Sequence, residues 1–165
     1  MDIFCFMEFT PELASEMSNI LKYYSCFVEK GAFFKPFKIT DCQVIFTRKN
    51  LEILSSGRIN LYTDFLVSTG FASYVVVKNG GENINIVNVH GKSIPGHKLD
   101  TPARLKQSMT LINFLKDKSG LKIIGGDFNL MPNTKSIALL EEAGYRNLIR
   151  DFDIKETRNR LSWEQ

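Results

Sequence analysis

Residues 70–91 spell a β-hairpin, and any fold of this chain must accommodate it. Two β-rich runs, 71–78 and 83–89, flank Asn79-Gly80-Gly81. Asn-Gly supplies the positive φ angles of a tight primed turn, so the two runs are expected to pair antiparallel.

Strands and helices alternate around this hairpin. Residues 3–6 form a short apolar run that reaches a carboxylate, Glu8, and Thr10-Pro11-Glu12 then reads as a helix start, with Thr10 as cap and Pro11 at the first helical position. Leu13, Met17, Ile20, Leu21 and Tyr24 recur at helical spacing and are expected to face the core. Residues 43–48 read as a strand. Beyond the hairpin come a polar loop over 91–100 and a second cap-and-proline start at Thr101-Pro102. That helix is expected to run to about Lys116 on a stripe of Leu105, Met109, Ile112 and Leu115 or Lys116. A buried strand over 121–126, a loop with Pro132 and a short helix over 136–143, stopped by Gly144, complete the pattern. Interleaving without repeats or a linker predicts a single α+β or α/β domain over 1–165.

Composition narrows the class. A chain of 165 residues with 44% hydrophobic and 24% charged residues can bury a core, which excludes disorder. No apolar run approaches the roughly 20 residues that span a bilayer, and the first residues lack a basic start followed by an apolar stretch. Three cysteines without a C-x-x-C pair read as reduced thiols, from which a cytoplasmic location is expected. Two histidines and scattered cysteines argue against a closed zinc site, leaving a hard, oxygen-bound cation or no metal. Lys and Arg total 21 against 18 Asp and Glu, a mild bias toward an anionic partner.

Several apolar runs end on polar residues: Glu8, then Asn88 and His90, then Asp127 and Asn129. Mg²⁺ takes one or two protein carboxylates, keeps waters and draws remaining ligands from substrate phosphate, so Glu8 and Asp127 would suffice if brought together. Each carboxylate also has a plainer reading, as a turn residue or the approach to a helix cap. His90 is an imidazole at a sheet rim, suited to proton transfer near neutrality, whereas His97 reads as a solvated loop residue. Asn88 is assigned to the face away from His90, and hence to a structural role. Arg104 is expected either to brace an acidic site residue or to lie in solvent. In Gly125-Gly126-Asp127-Phe128-Asn129, two glycines permit close approach of backbone or ligand beside Asp and Asn at a strand end.

Taken in order, these residues resemble the endonuclease/exonuclease/phosphatase superfamily of metal-dependent phosphoesterases. Residues 2–8 look like the family's strand ending in Gln-Glu, Asn88-Val89-His90-Gly91 like its histidine strand, and Gly126-Asp127-Phe128-Asn129 like its G-D-F-N signature. The helix start Ala103-Arg104-Leu105-Lys106-Gln107 is similar too. The resemblance implies a four-layer α/β/β/α sandwich, an α+β fold of two mainly antiparallel sheets flanked by helices, with the site at one end. It implies phosphoester hydrolysis with Mg²⁺, or Mn²⁺ in its place, acting on a phosphodiester such as DNA or RNA. By the same resemblance, Glu8 and Asp127 would bind the metal, and Asp127 would orient or deprotonate the attacking water. Asn129 would hydrogen-bond Asp127 or a phosphate oxygen, and His90 would contact the phosphate or protonate the leaving group.

The sequence also departs from the family pattern. Met7 stands where the family has Gln, and neither the opening strand ending in Asn nor the closing Asp-His pair occurs in residues 1–165. A fragment with sheets incomplete at both termini is therefore expected, with exposed strand edges. The alternative function is a catalytically inactive remnant that binds phosphate or nucleic acid through Arg146, Arg150, Lys155, Arg158 and Arg160. Interleaved Asp151, Asp153 and Glu156 would cancel part of that field.

Overall fold

The computed structural model describes residues 1–34, 39–62 and 70–157. Along these the chain forms β1 (Ile3–Phe9), α1 (Pro11–Ile20), β2 (Tyr24–Phe34), β3 (Ile39–Arg48), β4 (Glu52–Tyr62), β5 (Gly70–Asn79) and β6 (Glu82–His90). There follow α2 (Pro102–Leu115), β7 (Leu121–Asp127), α3 (Lys135–Glu142) and α4 (Leu148–Asp151). One sheet has the order β1-β3-β2 and the other β4-β5-β6-β7. All pairings are antiparallel except β6 with β7, which are joined through α2 as a parallel crossover requires.

Strand alternation assigns every layer. Along β3, Cys42, Val44 and Phe46 point to α1 and are buried with Ala14, while Ile45 points the other way and packs with Val75, Val77 and Ile86 between the sheets. On the far side of the second sheet, Ala72, Val87 and Val89 meet Leu111 and Leu115 of α2. The result is the α/β/β/α sandwich. Buried Gln43 ties the two sheets: its Oε1 accepts from the Ser73 backbone N–H at 2.9 Å, and its Nε2 donates to the Phe71 carbonyl at 2.6 Å.

Both cap-and-proline helix starts form, with Thr10 accepting from the Leu13 N–H and Thr101 from the Arg104 N–H. The hairpin forms as well, but the positive φ angles fall on Gly80 and Gly81 while Asn79 stays in the ladder opposite Glu82.

Elsewhere the structure corrects the sequence reading. The face that α1 buries runs through Ala14, Met17 and Leu21, leaving Leu13 and Ile20 in solvent; Tyr24 does pack on this layer, but from the first position of β2. In α2 the buried face is Arg104, Gln107, Ser108, Leu111 and Leu115, so its first half is polar and Met109 is exposed. Among the described residues β7 is an edge strand with Leu121 and Ile123 exposed, not a buried one. Between β2 and β3, residues 35–38 lie outside the described residues.

Candidate active site at the rim shared by the two sheets

Three strands of different sheets deliver the polar residues to one rim. In β1 the register with β3 advances by three residues between Phe6 and Phe9 while β3 advances by two, from Val44 to Cys42. This is a β-bulge, and Glu8 within it has φ +58°. The bulge turns the carboxylate toward the second sheet, where Glu8 Oε1 lies 3.4 Å from His90 Nε2 at the end of β6. Glu8 keeps most of its surface in water, whereas His90 is largely covered.

In the parallel register of β6 and β7, His90 is paired with Asp127. Two glycines make that junction possible. A Cβ at Gly126, whose φ is +120°, would fall 2.2 Å from the Val89 carbonyl oxygen, and one at Gly91 would fall 2.2 Å from that of Phe128. Beyond Asp127 the backbone turns sharply: Asn129 has φ +54°, and its N–H donates to Asp127 Oδ1 at 2.8 Å. The Asn129 side chain is buried, with Nδ2 donating to the Gly91 carbonyl at 2.9 Å and Oδ1 accepting from Lys98 Nζ.

Asn88 belongs to the same rim. It shares the inner face with His90, as residues two apart in a strand must, and its Nδ2 donates to the Phe6 carbonyl of β1 at 2.9 Å. The assignment to the opposite face is overturned, while the structural role is supported: Asn88 pins β1 to β6 one register step behind the Glu8 and His90 pair. His97 is exposed as expected, with Nδ1 accepting from the Leu99 N–H at 2.9 Å.

Asp41, which the sequence reading passed over, also lies here. Burial pushes its carboxyl above the ordinary value; His90 opposes the rise and Glu8 adds to it. Like Glu8 and Asp127 it is a polar residue beside an apolar run, Cys42–Phe46, so the same signal could have found it.

Arg104 neither braces an acid nor lies in solvent. Fully buried, it donates from Nε and Nη2 to the Lys92 carbonyl at 3.1 and 3.0 Å, from Nη1 to that of Leu99 at 2.6 Å, and from Nη2 to those of Pro95 at 2.6 Å and Ser93 at 3.2 Å. One guanidinium thus gathers the whole 92–99 loop, a task suited to its rigid fork of donors. Gln107, a turn further on, accepts from the Lys92 N–H at 3.0 Å.

Glu8 and Asp127 are both exposed carboxylates, and no three His, Cys, Asp or Glu side chains converge on a metal position among the described residues. That donor set fits a hard cation that keeps waters and takes ligands from substrate; it does not fit an all-protein cage. The basic cluster is largely neutralised: Arg146 pairs with Asp151 at 2.9 Å, Arg150 with Glu141 at 2.7 Å, and Lys155 with Asp153. Arg158 and Arg160 lie outside the described residues.

No protein-family model and no curated protein sequence matches the chain. Solved structures do. TDP2 of D. rerio, complexed with a single-strand DNA product, superposes with a TM-score of 0.67 at 18% identity over 94% of this chain and 58% of that one. ANGEL2, described as a 2′,3′-cyclic phosphatase, gives 0.66 at 17% identity over 86% and 43%. The human Nocturnin catalytic domain with a bound sulfate anion gives 0.63 at 18% identity over 83% and 54%. At such identities the likeness establishes the fold alone, a sandwich of two sheets flanked by helices. The chain spans about half the length of these structures. No described helix is long and apolar enough to cross a membrane.

Proposed function

From the endonuclease/exonuclease/phosphatase fold and the rim that joins Glu8, His90 and Asp127, we propose that this protein is a Mg²⁺-dependent phosphoester hydrolase acting on phosphodiesters such as DNA or RNA. The observation that carries the reading is the 3.4 Å approach of Glu8 to His90, directly beside Asp127 in the adjoining strand. Bound divalent metal, Mg²⁺ or Mn²⁺, would neutralise charge that develops on the phosphate oxygens. Glu8 and Asp127 are the residues to hold it, since both present exposed oxygens at strand ends. Asp127 has one oxygen occupied by the Asn129 N–H, which fixes the orientation of its carboxylate. Its other oxygen is left to orient water against phosphorus and to take the proton that water gives up as its oxygen bonds to phosphorus. As the P–O bond to the leaving group breaks, the departing oxygen takes up a proton, which His90 would give.

The test is hydrolysis of single-stranded DNA and RNA oligonucleotides and of bis(p-nitrophenyl) phosphate, with Mg²⁺, with Mn²⁺ and with chelator. Cleavage that requires the cation and is abolished in Asp127→Asn is the expected result. Cleavage indifferent to chelator and to Asp127→Asn would overturn the reading. Salt-sensitive oligonucleotide binding without cleavage would favour the inactive binding remnant instead.

A further inference from the structure

The polar loop between β6 and α2 carries a role that nothing in its sequence announces. We propose that Lys98 is a positioning residue for the proposed hydrolytic site: its ammonium fixes the Asn129 carboxamide, and through the Asn129 backbone the orientation of Asp127. The inference rests on the function proposed above and extends it to a residue outside the family-like motifs.

The geometry is specific about which way Asn129 must point. Its nitrogen faces the Gly91 carbonyl and its oxygen faces the Lys98 ammonium, so both ends of the amide are matched. In the flipped orientation, oxygen would face oxygen and NH₂ would face NH₃⁺, and both contacts would repel. Lys98 therefore joins the Gly91 carbonyl in selecting between two otherwise isosteric arrangements. The choice matters because the N–H of this same residue, in a left-handed backbone conformation, holds Asp127 Oδ1. A turned or mobile Asn129 would disturb that corner.

Lys98 is itself anchored on three sides. Its backbone is left-handed, with φ +57°, and its carbonyl accepts from the Met131 N–H at 2.8 Å, two residues beyond Asn129. Its ammonium also donates to the Ser93 carbonyl at 3.3 Å. Around it, buried Arg104 draws in the carbonyls of Lys92, Ser93, Pro95 and Leu99. The clamp gathers the ten-residue polar loop between the His90 and Asp127 strand ends, and Lys98, with Gly91 at the loop's other end, contacts the Asp127-Phe128-Asn129 corner.

The experiment compares Lys98→Met, Lys98→Arg and the control Lys106→Met, a lysine exposed on α2, in two assays on the full chain. The first is steady-state hydrolysis of bis(p-nitrophenyl) phosphate with Mg²⁺. A misplacement of about 1 Å can cost about 10²-fold in rate, so Lys98→Met is expected to lower kcat by about 10- to 100-fold with KM little changed. Lys98→Arg, which keeps a cationic donor, should recover most of the loss, and Lys106→Met should match the wild type. The second is the ¹H–¹⁵N spectrum of the Asn129 side-chain NH₂, expected to shift and broaden in Lys98→Met but not in Lys106→Met. A rise in KM at constant kcat, or a loss of kcat with the Asn129 amide unmoved, would overturn the proposal. If the wild type hydrolyses nothing, the proposed function fails by itself. The spectrum then decides the positioning claim alone, supporting it if only Lys98→Met moves the amide and refuting it otherwise.

Discussion

Glu8 and His90 belong to different sheets, 82 residues apart in sequence, and meet with Oε1 3.4 Å from Nε2. The contact depends on the one-residue bulge in β1, which gives Glu8 a left-handed backbone and turns it out of its regular register. Glu8→Gln keeps the shape but removes the charge beside the imidazole and one of the two metal-ligand candidates. It is expected to lower phosphodiester hydrolysis by about 10²-fold or more. Because Glu8 is largely in water, the melting temperature should stay at the wild-type value, and calorimetry beside the activity assay checks both.

Arg104 carries the largest expected stability effect. Arg104→Met leaves the buried loop carbonyls without their donor, at a cost of about 3 kcal/mol, or roughly 6–12 °C in melting temperature for a domain of this size. Arg104→Lys should recover little, because a single ammonium cannot span carbonyls from Lys92 to Leu99. Thermal unfolding of the two variants measures the difference.

The glycine pair before Asp127 is predicted to be unequal. Gly126→Ala drives a Cβ into the Val89 carbonyl at a φ of +120° and should destabilise by about 2 kcal/mol or more. Gly125→Ala meets nothing within 4 Å and should be tolerated. Urea midpoints for the two variants test the contrast.

Asp100 links the same loop to α3. Its carboxylate accepts from the Ser136 hydroxyl at 2.5 Å and from the Ser136 and Lys135 N–H groups, each at 2.8 Å, capping a helix whose own Thr134 makes no cap hydrogen bond. The Ser136 hydroxyl foremost, and then these N–H groups, hold its carboxyl below the ordinary value. A depressed pKa means that the fold favours the ionised form. The stability it contributes is complete above the ordinary carboxylate range and is lost as pH falls through the lowered value. Asp100→Asn should therefore destabilise the fold at neutral pH, and the gap to the wild type should close as pH falls through the lowered carboxyl value. Denaturation curves from pH 7 to pH 2.5 follow it.

Burial raises the Asp41 carboxyl value against the opposing pull of His90, and Glu8 adds to the rise. The raised value means that the fold holds the ionised form at a disadvantage at neutral pH. Asp41→Asn is expected to raise the melting temperature at pH 7 by a few degrees, measured by differential scanning calorimetry in chelator.

Local patterns fixed what was legible in advance. Thr10-Pro11 and Thr101-Pro102 start helices because a capping hydroxyl followed by a residue without an N–H suits only that position, and the hairpin follows from two runs that can pair only around Asn79-Gly80-Gly81. Glu8, His90, Asp127 and Asn129 stood out as polar residues ending apolar runs. Strands β2 and β4 were not legible, because Tyr24–Phe34 and Glu52–Tyr62 mix charge, Ser and Gly with apolar residues and lack clean alternation. The polar face of α2 escaped for a related reason. Periodicity finds apolar stripes, whereas Arg104 and Gln107 are buried by their hydrogen bonds to a loop that no local rule folds. What tertiary structure alone decided is who meets whom. A bulge, a parallel register and a buried guanidinium bring Glu8 to His90, Asp127 beside it and Lys98 onto Asn129, all contacts between segments far apart in sequence. The sequence sets which groups are available; only closure of the two sheets sets the distances between them.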